Sequence, residues 1–241
     1  MPFDETYFST NTYKNVSTAR FSQYWWSNRF YAILARRHGK QAGRLLEIGS
    51  GLGHLAGQLE ERFETHATEV NFWALGQAKK VAEATYRVLA TAEDLPYRGN
   101  CFDVVILKHV VEHLENPGKA LEEVGRVSAS GGLLILATPN LASRQKPRKG
   151  GQWIGYRDPT HISLKEPGEW LALVRKAGFS PFRVFSDGFW DAPYLKYLPA
   201  ALQKVIFGFP GGIQAVSAIP FLPLQWGESM LLLAKKVLPG K

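Results

Sequence analysis

A single cysteine, Cys101, stands in 241 residues, so the chain forms no internal disulfide and offers no cysteine cluster for zinc. The cytoplasm is the compartment this usage suggests. The N-terminus opens Met1-Pro-Phe-Asp-Glu with two acids and no apolar core, and a signal peptide is not expected. Acid is the scarcer charge: 21 Asp and Glu against 29 Lys and Arg leave a net charge of +8. That balance admits anionic partners such as nucleic acid, acidic lipid or a phosphorylated substrate, and also suits a merely soluble basic protein. Charge vanishes altogether from 205 to 227, where Pro210, Pro220, Pro223 and the glycines at 208, 211 and 212 interrupt any long helix. A membrane-spanning helix is therefore not expected there. Repeats and low-complexity tracts are also missing. With 45% hydrophobic residues the chain can bury one good core, and a single domain over 1–241 is expected.

What is present centres on Arg44-Leu-Leu-Glu-Ile-Gly-Ser-Gly-Leu-Gly-His-Leu-Ala56. Leu45, Leu46 and Ile48 form an apolar run fit for a central strand, Gly49, Gly51 and Gly53 a turn, and Leu55, Ala56 and Leu59 the start of a helical face. Glycines let backbone approach a ligand closely, and the helix start suits an anionic group. The dinucleotide fingerprint requires Gly-x-Gly-x-x-Gly. Here the third glycine comes one residue early and His54 takes its place, which disfavours nicotinamide binding.

The spacing Glu47-x-Gly49-x-Gly51-x-Gly53 resembles the first motif of the class I S-adenosylmethionine-dependent methyltransferases. Glu69 lies 22 residues beyond Glu47, at the end of an expected strand Thr65–Val70, where a carboxylate can accept hydrogen bonds from both ribose hydroxyls. Thr91-Ala-Glu-Asp-Leu-Pro-Tyr97 is similar to the family's Asp-Ala-Glu-x-Leu-Pro-Phe segment, with Thr91 where Asp is common. Phe102-Asp-Val-Val followed by Glu112-His-Leu is similar to its fourth strand and the helix after it. Asp158-Pro-Thr-His161 and Ala177-Gly-Phe resemble the branch acting on small molecules, lipids and sugars. The resemblance spans about 44–185. It implies S-adenosylmethionine as cofactor, with its methionine part at Glu47, Gly49, Gly51 and Gly53, its ribose at Glu69 and its adenine at Thr91, Ala92 and Glu93.

Alternating apolar runs and helical faces argue a doubly wound α/β sheet, and the resemblance implies a Rossmann-like, seven-stranded α/β/α sandwich whose last strand is antiparallel. Helices are expected at 55–63, 73–84, 117–127 and 167–177, and later strands at 86–90, 101–107, 131–140, 182–185 and 229–234. The chain divides into an N-terminal helical cap (1–43), a cofactor-binding core (44–188), a hydrophobic insert or lid (189–227) and a last strand (228–236). The resemblance implies a cap that covers the cofactor and lines the substrate pocket, which makes Tyr7, Tyr13 and Trp26 candidates for contact, with packing the alternative.

Ligands bind outside the carboxyl ends of parallel strands, which puts Lys108 and His109 beside the reacting methyl. An oxygen nucleophile of high pKa needs a base, with His109 the first choice and His161 the second. Some RNA-end and ubiquinone-type relatives carry Glu-x-x-Glu-His here and use a divalent ion. In this chain His109 replaces the first acid ahead of Glu112 and His113, and no metal is expected. The loop 141–160, with Arg144, Lys146, Arg148 and Lys149, reads equally as a solvated loop or as a reader of an anionic substrate part.

The function expected is methyl transfer to a small-molecule or lipid-like acceptor, on oxygen. RNA methylation, or a non-catalytic module keeping the fold, are the alternatives. The aromatic residues of 189–227 are candidates for peripheral contact with a membrane, for a lid, or for a packed flap.

Overall fold

The computed structural model describes Glu5, Tyr7, Phe8 and residues 16–237; Tyr13 lies outside the described residues. Seven strands form one sheet in the order β3-β2-β1-β4-β5-β7-β6. They are β1 Arg44–Ile48, β2 Glu64–Glu69, β3 Tyr86–Leu89, β4 Phe102–Lys108, β5 Ser128–Pro139, β6 Phe179–Ser186 and β7 Ser229–Lys236. The first five run parallel, and β7 lies antiparallel to both β5 and β6. The eight α-helices of the described residues are α1 Gln23–His38, α2 His54–Leu59, α3 Phe72–Ala78, α4 Pro117–Val127, α5 Lys146–Lys149, α6 Ile154–Arg157, α7 Pro167–Lys176 and α8 Ala200–Ser217.

Both faces of the sheet are covered, which is why its central strands read as unbroken apolar runs. Leu46, Ile48, Val105, Leu107, Leu134 and Leu232 pack with α4 and α7 through Leu121, Val124, Trp170 and Val174. Leu45, Val104, Ile106, Leu133 and Leu231 pack on the other side with α1, α2 and α8 through Leu34, Leu59 and Ala215. Side chains alternate along a strand, so Glu47 shares the face of Leu45, towards α1. Helix starts follow local chemistry. Ser22, Asn71 and Asn116 accept from the backbone N–H groups of Trp25, Ala74 and Lys119, and Pro117 occupies the first turn of α4.

Several boundaries differ from the sequence reading. Helix α2 stops at Leu59 and α3 at Ala78, because the chain turns so that Ala82 packs against Ala56 and Ala67. Strand β5 begins at Ser128, which pairs with Phe102, and β6 reaches back to Phe179. After β4 there is only a 3₁₀ turn, Val111–His113. The largest correction is α8, which runs unbroken for 18 residues through Pro210. Its glycines are packing sites: a Cβ on Gly211 would lie 2.7 Å from the Asp187 carbonyl and the Trp190 ring. Two buried amides anchor it. Gln203 bonds the backbone of Tyr194, Leu195 and Leu198, and Gln214 that of Ser186, Phe221 and Leu222. These contacts outweigh the breaker residues' local preference.

Candidate active site

Strands β1 and β4 are neighbours, while the chain between them winds out to β3 and back, so their carboxyl ends flank the crevice where the winding reverses. A cavity of about 1720 Å³ opens there, larger than a typical pocket for one small ligand and sufficient for a cofactor and an acceptor together. Glu47, Gly49, Gly51, Glu69, Thr91, Ala92, Glu93, Lys108, His109 and His161 all line it. Gly53 does not. It caps α2 with φ +79°, and a Cβ there would lie 2.8 Å from that of Ala78, so this glycine serves helix packing.

The glycine loop is held from β2. Gly49 and Ser50 donate to the Thr68 carbonyl at 2.8 and 3.0 Å. Gly49 has φ +69°, and a Cβ would meet the Val110 side chain at 2.5 Å, so the position excludes a side chain. Glu69 spans the two segments: Oε2 accepts from Gly51 N at 2.8 Å, and Oε1 from Val70 N and Asn71 N at 2.9 and 3.0 Å. Burial raises the Glu69 pKa against these three amides. Its carboxylate thus faces the cavity already oriented, as a ribose diol requires.

Glu47 is buried, and its Oε2 has no hydrogen-bond partner among the described residues. Such a group is costly unless something completes it, and a cationic amine such as that of S-adenosylmethionine would do so. Burial pushes Glu47 up to about 8, with Lys108 opposing. Burial draws Lys108 down to about 8, with Glu47 opposing. Lys108 is tied by Nζ to Asn28 Oδ1 at 2.5 Å and Ser27 Oγ at 3.3 Å, over the rings of Tyr24 and Tyr31. At the Thr91–Glu93 end of the cavity Ala92 is buried, and Glu93 accepts from Asn116 N at 3.0 Å.

His109 follows β4 with φ +55°, a left-handed conformation unusual for a residue with a side chain. Its Nδ1 lies 3.0 Å from Oε1 of the fully buried Glu112, and its Nε2 lies 3.4 Å from Ser229 Oγ. Burial would raise the Glu112 pKa, but His109 and His113 outweigh it and hold the carboxyl below its usual range. An imidazole fixed through Nδ1 by a carboxylate presents Nε2 for proton transfer.

His161 lies farther along the same wall and donates from Nδ1 to the Gly155 carbonyl at 2.7 Å. Its ring centre is 4.7 Å from that of His113, and Asp158 accepts from Thr160 and from Tyr7 OH. Tyr7 and Trp26 line the cavity. Glu112, His113 and His161 offer ligand atoms within 4.8 Å of one another, a donor set of two imidazoles and a carboxylate that suits a divalent transition metal.

The far wall comes from β6, β7 and the insert; the insert reads from sequence as a candidate lid, but the acids Asp187 and Glu228 beside it are not singled out there. Asp187 Oδ1 accepts from Ser229 N at 2.9 Å, and burial raises its pKa against that bond. Glu228 Oε2 accepts from the buried Trp153 Nε1 at 2.6 Å. Asp187 follows the end of β6 as Glu69 ends β2, so an acid at a strand's carboxyl end was its one available signal. Asn28, a polar residue inside an aromatic helix, was the signal for the Lys108 clamp. In the basic loop, Lys149 and Arg157 both pair with Asp191, and Lys146 pairs with Glu166.

Comparison with known proteins identifies the family. A family described as a methyltransferase domain matches residues 21–183. A malonyl-[acyl-carrier protein] O-methyltransferase of Geobacter sulfurreducens is 29% identical over 69% of this chain and 66% of its own length. A ubiquinone biosynthesis O-methyltransferase of a Caulobacter species is 40% identical over 40% of this chain and 41% of its own length. The chain spans about half to two thirds of the length of the curated relatives it matches first. Among solved structures, an S-adenosylmethionine-dependent methyltransferase of Thermotoga maritima, described as a possible histamine N-methyltransferase, superposes with a TM-score of 0.62 at 20% identity. That alignment covers 88% of each chain and shares the fold. With the family match running from α1 into β6 and enclosing the glycine loop, Glu69 and the His109 turn, the chain belongs to the methyltransferase-domain family, the class I S-adenosylmethionine-dependent methyltransferases.

Proposed function

We propose that this chain methylates an oxygen of an apolar or lipid-like small molecule, with His109 as general base. The observation that carries the reading is the His109–Glu112 pair at the carboxyl end of β4, opening into the cavity that Glu47 and Glu69 line on the other side. Two of the relatives are O-methyltransferases by name.

S-adenosylmethionine, when bound, supplies an electrophilic methyl on a sulfonium. Glu47 would hold its amine, the loop from Gly49 to Gly51 its carboxylate, Glu69 its ribose, and Thr91, Ala92 and Glu93 its adenine. The remaining work is alignment, exclusion of water and removal of one proton. Nε2 of His109 takes the proton of the acceptor hydroxyl. Glu112 keeps Nδ1 protonated and stabilises the imidazolium that forms, as the carboxylate of a hydrolase triad does. A carboxylate acceptor needs no base, so the oriented imidazole favours a hydroxyl. Tyr31, Trp26 and Trp190 supply apolar wall on the acceptor side.

The Glu112, His113 and His161 group supports a second reading. Glu112 Oε2 is buried with no hydrogen-bond partner among the described residues, and a divalent cation bound there would satisfy it and polarise an acceptor oxygen.

The test is methyl incorporation from labelled S-adenosylmethionine into long-chain phenols, quinols and RNA, before and after chelation. Transfer to the hydroxylated apolar acceptors that survives chelation is the expected result. Transfer to RNA alone, or cofactor binding with no transfer to any acceptor, overturns the reading, and activity lost on chelation and restored by zinc or magnesium replaces it with the metal-assisted one.

A further inference from the structure

Helix α8 is built inside out. A surface helix normally turns apolar residues to the core and polar ones to water. Here the inner face carries the buried amides of Gln203 and Gln214 with Gly208 and Gly211, while Leu202, Val205, Ile206, Phe209, Ile213 and Val216 are 45 to 65% exposed. At about 100° per residue these six fall within a single stripe roughly 100° wide, and no described residue covers it. Ile219 and Phe221 extend the patch, Tyr197 stands almost wholly exposed near its start, and Trp226 is half-exposed.

We infer that the outer face of α8 docks on an anionic lipid bilayer, lying in its interface. Charge selects this occupant. From 192 to 227 the only charged residues are Lys196 and Lys204, both exposed cations, within a chain of net charge +8. A stripe of this kind with cations around it gains from both apolar burial and headgroup attraction. No helix of the described residues is long and apolar enough to cross a membrane, which leaves an in-plane attachment.

The helix joins the docking face to the site. Gly211, Gly212, Gln214, Ala215 and Val216 line the cavity, and Val216 is also 56% exposed. The cavity mouth therefore borders the apolar stripe, and an acceptor dissolved in the bilayer reaches the site past Val216 without crossing water. This delivery step rests on the apolar-acceptor reading above; the docking itself does not.

Flotation of the full chain with phosphatidylcholine vesicles, with and without a third of phosphatidylglycerol, tests the docking. The expected result is binding to the anionic vesicles, falling about tenfold in Phe209→Glu/Ile213→Glu and retained in Phe209→Leu/Ile213→Leu. Cofactor affinity, read by calorimetry, should match wild type in both variants and certifies their folding. No binding of wild type to anionic vesicles overturns the inference. So does a dimer in light scattering that the double glutamate variant dissociates, which would make a second copy the occupant. Methyl transfer to a soluble phenol separates the two claims: transfer without vesicle binding sinks only the docking, and vesicle binding without transfer to any acceptor sinks only the catalytic reading.

Discussion

The Nδ1 atom of His109 lies 3.0 Å from Oε1 of Glu112, a carboxylate with no exposed surface. The pair is three positions apart in sequence, and the 3₁₀ turn Val111–His113 brings Glu112 back to the imidazole. The left-handed backbone of His109 places the ring over the cavity while Glu112 holds it from below.

His109→Ala should therefore lower kcat by about 10²- to 10⁴-fold, the usual contribution of a positioned base, with cofactor affinity unchanged. Glu112→Gln keeps the shape but loses the charge that favours the imidazolium, and should lower kcat by at least about tenfold. Steady-state rates beside calorimetric titration decide the matter. A full-rate His109→Ala variant would pass the role to His161.

Glu69→Ala removes the oriented carboxylate that faces the cavity. Hydrogen bonds to a charged group contribute about 1.5–3 kcal/mol each, so two lost ribose contacts should weaken S-adenosylmethionine binding on the order of a hundredfold or more. The amides of Gly51, Val70 and Asn71 lose their acceptor too, and thermal unfolding should come earlier than in wild type. Glu69→Gln, which keeps an accepting oxygen, should fall between the two.

Glu47 and Lys108 give cofactor binding a pH dependence of defined sign. Burial pushes Glu47 up to about 8, so below that pH it carries a proton that a bound ammonium must displace. Burial brings Lys108 down to about 8, so its repulsion of a cation also fades as pH rises. Affinity should climb with pH from the acid side and turn over where the ligand's own α-ammonium loses its proton. Calorimetry at pH 7 in buffers of different ionisation enthalpy should register proton release, and Glu47→Gln should abolish the part due to this carboxyl.

Two adjacent glycines of α8 should respond oppositely to alanine. Alanine is favoured over glycine in a helix by about 1 kcal/mol. At Gly212 nothing lies within 4 Å of the new methyl, so urea unfolding should shift to higher denaturant. At Gly211 the methyl would meet the Asp187 carbonyl and the Trp190 ring at 2.7 Å. Overpacking of that kind costs about 1–3 kcal/mol, and the midpoint should drop.

The parts of this molecule that could be read from sequence are those whose causes are local. A strand buried on both faces needs consecutive apolar residues, and the turn that lets backbone approach a ligand needs glycine, so β1, its loop and the position of Glu69 were visible as text. Helix α8 was not, because Pro210 and its glycines argue against a helix while the stabilising contacts come from Trp190 and from loops bonded by Gln203 and Gln214. The acids of the far wall were hidden for a related reason. Asp187 meets Ser229, and Trp153 meets Glu228, across 42 and 75 positions of sequence, and no spacing rule reaches that far. Gly53 shows the converse, a motif residue whose surroundings are a neighbouring helix.

Asp191 receives both Lys149 and Arg157, so the excursion after β5 and the one after β6 are latched by a single carboxylate. A substitution or a change of length in 141–160 alters the footing of 189–199, and the reverse holds. A graft of one excursion from a relative should keep its footing only when the other is transplanted with it.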